Sequence, residues 1–438
     1  MKRVLVLGAG LVSGPLVRYL LQADGFSLTV ADQARDKAEA LVLGAENGTA
    51  LGLDVRDETT LERLISEHDL TISLLPYVFH PLVATLALRH AKHMVTASYV
   101  KPEMQALDAA ARDAGVLLLN EVGVDPGIDH MSAMKVIHSI QERGGRIVSF
   151  TSNTGGLPAP DANDNPMGYK FSWAPRGVVL AGKNPARFLK DGVSIDVPGP
   201  ELFAHHWPCA IKGFGTLEVY PNRDSLPYIE SYGIPHVQDM FRGTLRYPGW
   251  CDTLKAIVDL GWLDETERTD LKGLSFADLV RRLLTTEADP KTAVAERLGL
   301  PLDAKPITDL EWLGWFSDEP LPKGADTLLD VVALRMLEKM QYADDERDML
   351  VMQHEFVAEY PDRRERITST LVDYGTRGGE TSMSRLVGLP AAIAAKHVLL
   401  GTFDQVGVQV PMIPEIYHPI LDELEDLGVS FHETVEVV

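Results

Sequence analysis

The sequence predicts an α/β fold: a doubly wound parallel sheet comes first, and a second sheet-bearing region follows, split by an all-α insertion. Three patterns predict this. Strand-like and helix-like runs alternate over about the first 120 residues, helical spacing alone runs from Tyr247 to about Ala343, and two strands of alternating character come after it.

Val4 to Leu7 is a short apolar run ending in glycine, as a strand buried on both faces does. The turn GAGLVSGP then nearly fits G-x-G-x-x-G. Gly8 and Gly10 are in place, Ser13 holds the third slot, and a glycine arrives one residue late at Gly14. Leu11 to Leu21 has helical spacing, with Pro15 in the first turn, where a missing N–H costs little. Ser13 fits if helix and strand pack slightly further apart, or if Gly14 provides the close approach. A second strand, Ser27 to Ala31, ends at Asp32, about 20 residues past the turn, where a carboxylate can bind both hydroxyls of an adenosine ribose. A helix (Gln33 to Leu43), a short strand near LGLDV, a helix (Thr59 to Ser66) and the strands DLTISLLP and MVTAS complete the alternation.

Cofactors bind at the carboxyl ends of such strands. The candidate contacts there are Gly8, Ala9, Gly10, Asp32, Asp54, Val55, Leu75 and Ala97, with Ser98 and Tyr99 just beyond. The competing reading is an α/β core, flavodoxin-like or other, that holds no dinucleotide. Asp32 repels a 2′-phosphate, which favours NAD over NADP, although Arg35 and Lys37 lie close enough to restore NADP binding.

The next stretch, AGVLLLNEVGVDPGIDHMSAMKVIHSI, runs from an apolar strand into a polar turn, and Asp129 is predicted to cap a helix from Met131 to Ile140. The Pro-Gly turn between Asp125 and Asp129 is either structural or presents Asp125 to a substrate ammonium. IVSFTSNTGGLPAPDANDNPMGYKFSWAP starts as a strand and becomes a long loop carrying Tyr169, Phe171 and Trp173, either a pocket wall or a packed surface loop. Arg223, Arg242 and Arg246 then fall near turns. An isolated arginine is more often a surface or ion-pair residue, but the guanidinium fork also suits carboxylates.

The helical segments between Tyr247 and Ala343 form the insertion, and their tryptophans read as core. DMLVMQHEFVAEY and ERITSTLVDYG are strands joined by a PDRR hairpin, followed by a helix from Thr381 to Leu400 and a tail. The domains expected are 1–121, with the tail 402–438 returning to it; 122–246 with 349–401; and the insertion, 247–348.

At 438 residues the chain is too long for one compact core. A net charge of −22 disfavours nucleic acid or an anionic membrane as partner, yet a few arginines in a pocket suffice for an anionic small molecule. Cys209 and Cys251 give no disulfide framework or zinc spacing, His205-His206 lacks ligand spacing, and no metal site is expected. With no visible signal peptide and no stretch approaching roughly 18 apolar residues, a cytoplasmic protein is expected. No nucleophile elbow or Walker loop is present, which leaves hydride transfer as the best chemistry.

The stretches GAGLVSGP, SLLPYVFHPLVA, MVTASYV, EVGVDPGIDHM, GGLPAP, KFSW, YPNRDS, GTLRYPG and GLPAAIAAK occur in one order along almost the whole chain. In this the chain resembles the saccharopine dehydrogenases of the L-glutamate-forming type, including the dehydrogenase half of the aminoadipic semialdehyde synthases. The resemblance implies a variant Rossmann domain, a mixed α/β domain for substrate binding and dimerisation, and an inserted α domain, in a homodimer. It implies reversible cleavage of saccharopine by NAD(P)⁺ and water to L-glutamate and L-2-aminoadipate 6-semialdehyde, in lysine metabolism. It adds Leu11 and Val12 to the cofactor contacts. It places saccharopine against Ser98, Tyr99, Asp125, Arg223, Thr244, Leu245 and Arg246. Tyr99 and Asp125 are the candidates for proton handling. One departure stands out: relatives often carry cysteine before GGLPAP, and this chain has Thr154. The alternatives are a related opine-type enzyme, such as a carboxynorspermidine synthase, and a non-enzymatic nucleotide sensor on a dehydrogenase fold.

Overall fold

The computed structural model describes residues 1–172 and 175–438; Trp173 lies outside the described residues. The strands in chain order are β1 (Lys2–Leu7), β2 (Phe26–Asp32), β3 (Gly48–Gly52), β4 (Leu70–Ser73), β5 (His93–Val95), β6 (Leu117–Leu119), β7 (Arg146–Pro158) and β8 (Ala186–Lys190). They continue as β9 (Val193–Val197), β10 (Trp207–Ile211), β11 (Gly215–Pro221), β12 (Asp239–Arg246), β13 (Asp348–Glu359), β14 (Arg364–Tyr374), β15 (Gly407–Gln409) and β16 (His432–Val437). The chain divides into two compact units. One is Met1–Gly144 with Gly379–Phe431, and the other is Gly145–Gly378 with His432–Val438. The divisions thus fall at 144/145, 378/379 and 431/432, rather than at the expected 121/122 and 401/402.

In the first unit, seven strands form a sheet ordered β15-β6-β5-β4-β1-β2-β3, with every neighbouring pair parallel. The short apolar runs are buried, as they must be in a sheet covered on both faces: Val4 to Leu7 and Leu70 to Ser73 are all inaccessible to solvent. The strand order reverses between β1 and β4, and that switch point opens a crevice at the carboxyl ends of the strands. β3 ends at Gly52, so Asp54 and Val55 follow the strand instead of closing it.

The helix Ile128–Glu142 begins three residues earlier than expected, and Asp129 lies inside its first turn. Gly127 is the capping position, so Asp129 is not the cap. The helix Ser382–Leu400 is long and apolar enough by composition to cross a membrane, which the sequence reading did not anticipate. Two-thirds of that window is buried in the protein, as in a core helix.

The second unit holds a nine-stranded mixed sheet ordered β10-β11-β12-β7-β13-β14-β16, with β8 and β9 at its side. The segment that begins IVSF is a long strand, β7, before it becomes a loop. It runs on to Pro158, paired with β12 from Ser149 to Thr154 and with β13 all the way to Pro158. The helices of the expected insertion share one apolar core with this sheet. Leu157, Val219, Leu245 and Val351 from strands meet Trp250, Trp262, Trp315 and Leu329 from the helical region. Trp262 and Trp315 stack at 3.9 Å. The tail divides: β15 adds to the first sheet, whereas β16 pairs antiparallel with β14 in the second.

Candidate active site

Each candidate cofactor residue sits at the carboxyl edge of the first sheet. Gly8 to Val12 leave β1, Asp32 closes β2, Asp54 and Val55 follow β3, Leu75 follows β4, and Ala97 follows β5. Leu7 stands level with Ala31 and Ser73, so these segments emerge together. Gly8 has φ +107°, and a Cβ there would lie 3.2 Å from the carbonyl oxygen of Leu74, so the position demands glycine.

Ser13 resolves the irregular fingerprint. Buried in the third slot, it donates its hydroxyl to the Gly8 carbonyl at 2.9 Å and ties the helix start to the turn. Gly14 does not supply the close approach, since a Cβ there would be 4.0 Å from its nearest neighbour. The N-cap residue of the helix Ser13–Gln22, Val12, gives it no side-chain cap, and no acidic residue lies in its first turn. Space above Gly10 is open. An uncapped helix start beneath an open glycine turn suits a pyrophosphate, so the fold fits a dinucleotide.

Asp32 has a role the sequence did not show. Its carboxylate accepts the Ala9 N–H at 2.7 Å and the Ala34 N–H at 2.8 Å. It therefore braces the glycine turn, and its presence is no longer an argument for NAD. Asp32→Ala is expected to raise KM for NAD and NADP together, by about tenfold, since two backbone donors lose a charged acceptor. Steady-state kinetics with each dinucleotide check this; a loss confined to NAD would show that Asp32 reads the ribose directly. Asp54 is exposed and paired with Arg56, whose guanidinium holds its carboxyl down to about 2.

Beyond β5 lie Ser98 and Tyr99. The Tyr99 hydroxyl donates to Asp125 Oδ1 at 2.9 Å. Asp125 is half-buried in an otherwise buried turn, joined to Pro126 by a cis peptide bond. Gly127 has φ +145°, and a Cβ there would collide with the Gly123 backbone at 2.1 Å, which makes this turn specific to glycine. His80 was not singled out from sequence. It is buried, with Nδ1 3.0 Å from Ser73 Oγ and Nε2 2.8 Å from Ser98 Oγ. Burial pushes its pKa down to about 4, so the ring that orients Ser98 is neutral at physiological pH. Its only sequence signal was its place in SLLPYVFHPLVA, directly after a buried strand.

The second unit holds the remaining candidates. Arg246 is buried, with its guanidinium carbon 4.9 Å from the Tyr169 ring centre, 5.6 Å from Trp250 and 5.9 Å from Tyr220. It donates from Nη1 to the Leu245 carbonyl at 2.7 Å. Among the described residues its Nε has no hydrogen-bond partner, and the guanidinium forms no ion pair. A buried cation held by aromatic faces and a single backbone carbonyl fits an incoming carboxylate.

Thr154 is the register partner of Thr244, and Thr244 is the partner of Tyr220, so these three share a sheet face with Arg246. The Thr154 hydroxyl is also buried without a partner among the described residues. Leu245 points the other way, into the apolar core, so only its backbone is available to a ligand. Tyr169 is a core residue beneath Arg246 rather than part of a loop wall. Arg223 is exposed on the turn after β11, in a left-handed conformation with φ +57°. Arg242 is buried with its guanidinium 4.3 Å from the centre of the Tyr228 ring.

One unpredicted cluster, His206, Glu218 and Cys251, brings potential ligand atoms within 4.8 Å of one another. Glu218 already accepts the N–H groups of Gly249 and Cys251 and so caps the helix Trp250–Asp259. Burial, with the Glu218 charge, pushes the Cys251 thiol far up, so the group reads as a helix cap.

A parallel sheet with a glycine turn at its switch point, and a polar site beyond it, defines a nicotinamide-dinucleotide-dependent oxidoreductase. Residues 4–119 match the saccharopine dehydrogenase NADP binding domain, and residues 123–429 match the saccharopine dehydrogenase C-terminal domain. The chain belongs to the saccharopine dehydrogenase family. A Schizosaccharomyces pombe protein named saccharopine dehydrogenase (NADP(+), L-glutamate-forming) is 40% identical, covering 99% of each chain. The solved apo saccharopine dehydrogenase (L-Glu forming) of Saccharomyces cerevisiae superposes with a TM-score of 0.93 at 39% identity over 100% of both chains. The mitochondrial alpha-aminoadipic semialdehyde synthase of Bos taurus is 39% identical over 98% of this chain, which spans 47% of that protein.

Proposed function

We propose that the chain catalyses the reversible, NADP-dependent cleavage of L-saccharopine to L-glutamate and L-2-aminoadipate 6-semialdehyde. The observation that carries this reading is the end-to-end match, at about 40% identity, to yeast proteins named for that reaction. The bound dinucleotide would supply acceptance of a hydride from the substrate C–H beside the secondary amine. The chain's residues do the rest. The glycine turn and the Ser13–Gln22 helix start hold the pyrophosphate. Arg246 and Arg223 bind carboxylates of a substrate that carries three. Ser98, oriented by His80, hydrogen-bonds the substrate. Asp125, with Tyr99 donating to it, takes the proton from the water that attacks the substrate imine, and the C–N bond then breaks to release glutamate and aldehyde.

For the cofactor we infer NADP in place of the NAD favoured from sequence. The supporting relatives are named for NADP, and the Asp32 carboxylate is occupied by backbone. Arg35 and Arg56 lie just beyond β2 and β3, exposed, and their pairings with Glu39 and Asp54 are surface pairs that are cheaply exchanged for a 2′-phosphate. Replacing both arginines with alanine is expected to raise KM for NADP about 10- to 100-fold and leave KM for NAD unchanged. An equal effect on both dinucleotides would remove these arginines from phosphate recognition.

A further inference from the structure

The motif EVGVDPGIDHM contains three buried ionisable residues that the reaction above does not use. Glu121 Oε1 accepts the Val100 N–H at 2.9 Å, and Glu121 Oε2 lies 2.9 Å from His130 Nε2. His130 Nδ1 lies 3.5 Å from Asp129 Oδ2, and Asp129 Oδ1 accepts the Gly127 N–H at 2.6 Å. Val100 follows Tyr99, and Gly127 is two residues past Asp125. The Tyr99–Asp125 hydrogen bond therefore closes a ring whose opposite side is this carboxylate–imidazole–carboxylate bridge.

The bridge is costly to build. His130 is wholly buried, Asp129 is 1% exposed and Glu121 7% exposed, and apolar side chains would fill the same space without desolvating charge. Glu121 also stands at φ +59°, a left-handed conformation that a residue with a side chain rarely adopts. Strain and buried charge concentrated at one place mark a site where geometry is being held.

We propose that Glu121, His130 and Asp129 are positioning residues that set the Tyr99–Asp125 separation for proton transfer. Two backbone segments must be held in register for that hydrogen bond, and each is gripped by one end of the bridge. This rests on the reading that Tyr99 and Asp125 handle protons.

The test uses the full chain with two variants, His130→Gln and the isosteric Glu121→Gln, the second guarding against misfolding of the first. Each is expected to lower kcat with saccharopine about 10- to 100-fold while the NADP dissociation constant stays unchanged. In a Tyr99→Phe background the same changes should cost less than about threefold more, because the bond they support is already gone. Crystal structures of the variants should show the Tyr99–Asp125 gap opened beyond hydrogen-bond length. An unchanged gap, or equal fold-losses in both backgrounds, would overturn the positioning role. An opened gap with unchanged kcat would leave the positioning intact and refute proton handling by the pair.

Discussion

Arg246→Ala is expected to raise KM for saccharopine about 100-fold, with NADP affinity unchanged, as when one partner of a buried charged hydrogen bond is removed. The size of the effect follows from the environment. Arg246 is 5% exposed, its guanidinium sits over three aromatic rings, and its Nε has no hydrogen-bond partner among the described residues. A carboxylate arriving there meets a cation already stripped of water and already oriented, so little is spent on organising it. Arg246→Met separates binding from packing. It keeps much of the apolar stem over Tyr169 and Trp250 but removes a buried charge that forms no ion pair among the described residues. Its melting temperature should therefore equal or exceed that of the wild type while KM rises as in the alanine variant. Steady-state kinetics and thermal melts of both variants check this, and an unchanged KM in either would remove Arg246 from the substrate site.

The second large effect is expected at Asp125. Asp125→Asn should lower kcat by about 10² to 10⁴, the usual contribution of a positioned acid–base group, with a small change in KM. The amide can still accept the Tyr99 hydroxyl hydrogen bond, 2.9 Å long in the native protein, so the turn is preserved while the proton acceptor is lost. Tyr99→Phe should act in the same direction but less strongly, because it removes the donor to Asp125 and not the base. A kcat within twofold of wild type for Asp125→Asn would assign proton transfer to another group.

The first sheet could be read from its sequence because its strands are buried on both faces. Such strands appear as uninterrupted apolar runs ending in glycine or aspartate, and the alternation with helices then dictates parallel pairing. The carboxyl-end residues followed directly, down to Ala97 and Tyr99. What could not be read depends on atoms brought together across the fold. Asp32 was correctly placed at the end of β2, but that its two oxygens face the Ala9 and Ala34 amides depends on the exact course of two turns. His80 and His130 have no periodic signature, since each is defined by a hydroxyl or carboxylate from another segment. Where β7 ends could not be read because TSNTGG has turn-like composition; its pairing with β12 to Thr154 and with β13 to Pro158 keeps it extended. The helices after Tyr247 were recognised as helices, but sequence spacing does not tell a separate helical domain from a layer on the β-sheet. That distinction rests on Trp250, Trp262 and Trp315 sharing a core with Leu157 and Val351.

The most direct measurement incubates the purified chain with L-saccharopine and NADP⁺, and follows the reduced dinucleotide by absorbance and glutamate by chromatography. One glutamate released per NADPH formed, with NADP⁺ preferred over NAD⁺, is the expected result. No reduction of either dinucleotide with saccharopine, alongside turnover of carboxynorspermidine, would contradict it.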